Sequence, residues 1–207
     1  MTTIAYPTTD LYRPSEFTLT LTRNIVGRKR NPFTRRRQVI EHPGPLWAAT
    51  IIYAPDYHAD RAGIEAFWNR VSAAVNKVSM WHFARPTPRG TLQSNTTTAA
   101  SASAGASAIS LNATTGLTLL AGDMMEITLT GGATQLVMVV ADVTSVDSVM
   151  AAVSFVPSLV GAVSNGATVK LVRASALFQL EEDFAQMPYV PGYAQSFPVT
   201  LIETPNW

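Results

Sequence analysis

The chain has 207 residues, 47% of them hydrophobic, and a formal net charge of only +1. That is room for one generous domain or two small ones with a filled core, and it excludes disorder of the whole chain. With no cysteine, disulfides and thiolate zinc sites are excluded as staples, so stability has to come from packing or from association.

The opening MTTIAYPTTDLYRPSEF has no basic start followed by an apolar run, and no apolar stretch approaches the ~20 residues that span a bilayer. A chain made in the cytoplasm and not held in a membrane is therefore expected. The first regular signal is Phe17-Thr-Leu-Thr-Leu21, where apolar residues alternate with threonine at the period of a half-buried strand. A basic block follows. Arg23 to Arg37 holds seven of the fifteen Lys and Arg residues and no acid, which leaves eight bases against fourteen acids elsewhere, so +7 stands beside −6. Asn31-Pro32 is a turn signal inside the block, and Arg35 to Ile40 can form a strand. DNA contact calls for aromatic interleaving or a helix for the major groove, whereas a turn and strand flanked by prolines offers neither. Arg28, Lys29, Arg30, Arg35, Arg36 and Arg37 are accordingly read as a contact for acidic protein surfaces, with nucleic acid the weaker reading.

His42-Pro-Gly-Pro45 makes a second turn, and Trp47 to Tyr53 is rich in aromatic and β-branched residues, as a central strand is. From Asp60 the period changes. Ile64, Phe67, Trp68, Val71, Ala74, Val75 and Val78 share one stripe, predicting a helix over about 60–78 with Asp60 as its N-cap. Met80 to Phe83 reads as a strand, and Pro86-Thr-Pro-Arg-Gly90 as a turn.

Thr91 to Ser110 is almost entirely Thr, Ala, Ser and Gly and reads as a flexible or loosely extended connector. Beyond it, short strands over Met124–Leu129, Gln135–Val143, Val149–Val156 and Thr168–Val172 are separated by glycine turns. Leu177–Leu180 and Phe197–Ile202 are strand-like and too short to stand alone, so they are expected to rejoin the first sheet. The predicted fold class is mainly β (α+β): a β-barrel or sandwich with one flanking helix over 1–92 and 175–207, and a small β-domain inserted at 93–174.

Chemistry-bearing groups are sparse. His42, His58 and His82 have no metal-ligand spacing, and each reads as structural or solvated. Asp123 ends an LLAGD turn, with glycine supplying positive φ and the carboxylate bonding nearby backbone. Glu181, Glu182 and Asp183 lack the further oxygen ligands of a cation loop and read as a partner-facing acidic cluster. Trp47, Trp68 and Trp81 read as core, while Trp207 is a candidate for docking on a neighbouring subunit. No catalytic constellation, metal site or cofactor motif is found, and no enzymatic activity is expected.

The order of these parts resembles the distal tail proteins of long-tailed bacteriophages and related gene transfer agents. The likeness is carried by NPFTRRRQVIEHPGPLWAATIIYAP, AFWNRVSAAVNKVSMWHFARPTPRGT, LLAGDMMEI and LFQLEEDFAQMPYVPGYAQSFPVTLIE, which together span most of the chain. The resemblance implies a virion protein at the tail tip: a ring of six copies joining the tail tube protein above to hub and fibre proteins below. It also implies an N-terminal β-barrel with a flanking helix and a second β-domain serving as an attachment. The alternative is a carbohydrate- or receptor-binding module of a phage tail, with the inserted β-domain as its reader.

Overall fold

The computed structural model describes residues 2–8, 13–22, 25–27, 39–41, 44–55, 58–71, 76–182, 188–190 and 193–204. In chain order its elements are β1 (Thr2–Ala5), β2 (Glu16–Thr22), β3 (Ile25–Gly27), β4 (Val39–Glu41), β5 (Leu46–Tyr53), α1 (His58–Val71), β6 (Asn76–Trp81), β7 (Thr96–Thr97), β8 (Ala108–Asn112) and β9 (Thr118–Leu119). They continue with β10 (Met124–Thr128), β11 (Thr134–Val139), β12 (Val143–Thr144), β13 (Val149–Val156), β14 (Thr168–Lys170), β15 (Ser175–Leu180), β16 (Tyr189–Val190), β17 (Tyr193–Ala194) and β18 (Phe197–Glu203). The molecule is mainly β, with a single helix among the described residues.

One six-stranded sheet runs β1-β6-β15-β18-β5-β2 and is curled into a nearly closed barrel. Its strands follow the alternation of their side chains. In β5, Trp47, Ala49, Ile51 and Tyr53 point inward, and in β18 Phe197, Val199, Leu201 and Glu203 do. As expected, β5 is central, between β18 and β2. Phe17 on β2 meets Phe83, just past β6, with ring centroids 4.8 Å apart. Aromatic packing thus draws β2 towards the β6 side, where no backbone pairing joins them.

Helix α1 covers the barrel through Ile64, Phe67, Trp68 and Val71, the stripe its periodicity defines. Of the polar groups it buries, Trp68 is satisfied, whereas Arg61 donates through Nη2 to the Ala54 carbonyl and leaves Nε and Nη1 without a partner. Trp68 Nε1 donates to Tyr53 Oη at 3.1 Å, and Tyr53 and Tyr6 share a hydroxyl contact of 2.6 Å. The helix is shorter than its sequence suggests and begins earlier, so Asp60 lies within it and is not its N-cap. Val78 belongs to β6, where Val78 and Met80 alternate inward against Ile4 and Phe178. A period-two stretch took these residues into the sheet, and Asn76 Nδ2 caps the helix end by donating to the Arg70 carbonyl at 3.0 Å. Ala74 and Val75 lie outside the described residues.

A second six-stranded sheet runs β7-β14-β10-β11-β13-β8 around its own core of Leu111, Met125, Ile127, Val137, Met150, Val153 and Phe155. A bulge in β13 lets Met150 and Val153 both face inward, with Ala152 at φ 51 between them.

The serine, alanine and threonine run between the sheets is not a loose connector. Thr96 and Thr97 form β7, Thr98 is fully buried with its hydroxyl donating to Ser164 O at 2.7 Å, and Ala102 bridges Val163. Small polar side chains hydrogen-bond backbone over a closely approaching neighbour, so composition alone misread an ordered stretch as a flexible one. Nor are the two sheets separated. Strands β10 and β11 bury both faces: Met125, Ile127, Val137 and Val139 enter the second core, while Met124 and Leu136 join the first. Trp47 Nε1 completes the contact by donating to Leu136 O at 2.9 Å.

Candidate functional site

Asp123 is a heavily used polar side chain at the junction. It is buried, and its carboxylate accepts the backbone N–H groups of Leu120 at 2.8 Å, Arg89 at 2.8 Å and Gly90 at 3.3 Å. Gly122 before it takes φ 93, and Gly90 passes so close to Thr118 that a Cβ would lie 2.1 Å from that residue's carbonyl oxygen. The LLAGD turn is structural, as its residues suggest, but it also staples the 86–90 turn to the second sheet. Each buried donor left unpaired costs about 1–3 kcal/mol. Asp123→Ala is therefore expected to lower stability by about 3 kcal/mol or more, which a urea melt measures, whereas unchanged unfolding would remove this role.

A second junction network centres on Glu126. Its Oε2 accepts Ser175 N–H and Ser175 Oγ–H, both at 2.9 Å, and pairs with Lys170 Nζ at 3.1 Å. Lys170 also donates to Ser175 Oγ at 3.1 Å. A serine beside a lysine is the material of a nucleophile, but this hydroxyl is buried and donates to a carboxylate, so it ties β10 and β14 to the first residue of β15.

Among the described residues, two clefts on the barrel stand out. The first, of about 210 Å³, lies over Tyr6, Trp81 and Phe83, with Pro7 and Pro86 at its sides and Arg13 and Arg173 on its rim. Tyr6 and Phe83 have ring centroids 4.8 Å apart, and the Arg173 guanidinium sits 5.1 Å above the Trp81 ring. The second, of about 280 Å³, lies between β2 and the β10–β11 pair, lined by Leu19, Leu21, Trp47, Met124, Met138, His82 and Arg85 among others. Burial holds His82 below its usual pKa and Arg85 adds to the effect, so the ring is neutral at physiological pH. Its Nδ1 is buried without a hydrogen-bond partner.

Glu203 is buried at the end of β18, where Oε2 accepts the Trp47 N–H at 2.8 Å. Desolvation outweighs that bond and pushes its pKa up to about 7. Among the described residues no three His, Cys, Asp or Glu side chains gather as a metal ion would require, and no helix is long and apolar enough to cross a membrane.

Of the residues singled out from sequence, Arg28, Lys29, Arg30, Arg35, Arg36, Arg37, Asp183 and Trp207 lie outside the described residues. So does His42. The strands flanking the basic block do pair: Gly27 faces Val39, and Ile25 faces Glu41. Glu181 and Glu182 follow β15 and are exposed. Trp47 and Trp68 are core, but Trp81 is only half-buried and floors the first cleft, a departure from the expectation that it packs inside. Sequence reasoning missed Arg13, Tyr6, Arg173 and Glu203, since no local pattern marks any of them. No protein-family model matches the chain, and no curated protein matches it in sequence at a significant level.

Proposed function

We propose that the chain is a structural protein of a phage tail tip, forming a homohexameric ring that joins the tail tube to hub and fibre proteins and carries no catalytic activity of its own. The observation that carries this reading is the barrel-like sheet with a flanking helix, followed by a second β-sheet and closed by β15 and β18, the order the resemblance implies. The charge division supports it: seven basic residues between Arg23 and Arg37 stand against a surplus of acids elsewhere. Among the described residues, β1 and β2 each pair on one side only, leaving two strand edges of the barrel for association.

Residues 93–174 act in this reading as an insertion that presents the second sheet as an attachment surface. The reading as a carbohydrate- or receptor-binding module would want exposed aromatic rings on that sheet, and Phe155, the one aromatic between Gly90 and Arg173, is 1% exposed. The acidic Glu181, Glu182 and Asp183, the basic block and Trp207 are assigned to contacts with neighbouring copies and tail proteins. Nucleic acid and membrane have no part in it. An antibody raised against the chain is expected to label the tail tip of assembled particles; particles free of the chain would refute the assignment.

A further inference from the structure

The cleft over Trp81 has the chemistry of a carboxylate receptor. Its floor is aromatic, and both charged residues that line it are arginines. Neither Arg13 nor Arg173 has a carboxylate partner among the described residues. Arg173 is held in place by its backbone as well as by the ring beneath it. It takes φ 50, a left-handed conformation unfavourable for arginine, and its N–H donates to Pro86 O at 2.6 Å. A strained residue that aims a cation at an open cleft is the kind of outlier that points to a ligand.

The described residues also supply a matching group. Glu181 and Glu182 are exposed, and they leave the opposite end of the strand that Arg173 precedes. β15 itself, five steps of ~3.3 Å from Ser175 to Leu180, sets ~16 Å of strand between Arg173 and Glu181. The pair therefore stands away from Arg173 of its own copy.

We propose that the Arg13–Arg173 cleft seats the Glu181-Glu182 pair of a second copy of this chain. This rests on the ring reading and names one of its contacts. Each copy then offers a basic cleft at one end of β15 and a carboxylate pair at the other, which is a head-to-tail contact and closes into a ring when the rotation between copies allows. Arginine suits the task because its planar fork meets a carboxylate while its face stays on Trp81.

The test uses the full chain and two variants, Arg13→Glu/Arg173→Glu and Glu181→Arg/Glu182→Arg, with mass in solution measured by light scattering. Each variant alone sets like charges against each other and is expected to associate about tenfold more weakly or worse than the wild type. Mixed one to one they restore every contact in an alternating ring of even number, and the wild-type mass is expected to return. Wild-type rings with both variants assembling equally well would overturn the cleft contact and leave the ring standing. A wild type that stays monomeric would overturn both. Because Arg173 lies on Trp81, Arg13→Glu alone, which cancels the charge of the cleft without disturbing that packing, is also expected to weaken association, and unchanged association of this variant would count against the cleft contact.

Discussion

Above neutral pH the Glu203→Gln variant is expected to be more stable than the wild type, and near pH 4 the two should be equally stable. The folded carboxyl has a pKa of about 7 against an ordinary value of 4.5, because burial disfavours its charge more than the Trp47 N–H favours it. A group whose pKa is raised on folding binds its proton more tightly when folded. Its contribution to stability is therefore fully present below pH 4.5, declines as pH rises through 7, and is gone above. At ~1.4 kcal/mol per pH unit the whole window amounts to about 3 kcal/mol. For a chain of this size that corresponds to ~6–12 °C in melting temperature. Glutamine keeps an oxygen for the Trp47 N–H and cannot ionise, so its curve should lack the fall that Glu203 gives the wild type. Parallel wild-type and variant curves between pH 4 and 8.5 would contradict the buried, rising carboxyl.

Reversing Arg35, Arg36 and Arg37 to glutamate is expected to abolish ring or tube association while leaving the melting temperature nearly unchanged. Surface charge pairs contribute only about 0–1 kcal/mol each to a fold, whereas like charges facing each other across an interface cost several. Wild-type association should also weaken with added salt, since opposed charges are screened over ~10 Å at 0.1 M. A nucleic-acid role predicts something different: affinity for any duplex, falling steeply with the logarithm of salt in proportion to the phosphates neutralised. Titrating salt against self-association and against a fluorescent duplex separates the two. Tight, salt-sensitive duplex binding together with normal assembly of the triple variant would reverse the assignment of RKRNPFTRRRQVIE.

How much of this molecule shows in its sequence depends on whether the signal is local. Strand β5 and the stripe of α1 were legible because burial of one face imposes a period, and Gly122 because its turn requires positive φ. The end of α1 was misplaced because Val78 fits a helical stripe and a strand alternation equally well, and only pairing with Ile4 and Phe178 decides between them. Strand β1 went unseen, since Ile4 is the one buried residue in its four. The shared role of β10 and β11 was visible in principle. Adjacent apolar residues at Met124-Met125 and Leu136-Val137 are what a strand buried on both faces requires. The first cleft could not be read. It gathers Tyr6, Arg13, Trp81, Pro86 and Arg173 from three distant segments, and only the barrel brings them together.

The central claim is that copies of this chain assemble into a closed ring, and mass in solution tests it most directly. Light scattering of the purified chain near neutral pH and low salt is expected to give six times 22.3 kDa, with negative-stain images showing annular particles. A mass of 22.3 kDa that persists as the concentration is raised, with no rings in the images, would contradict it.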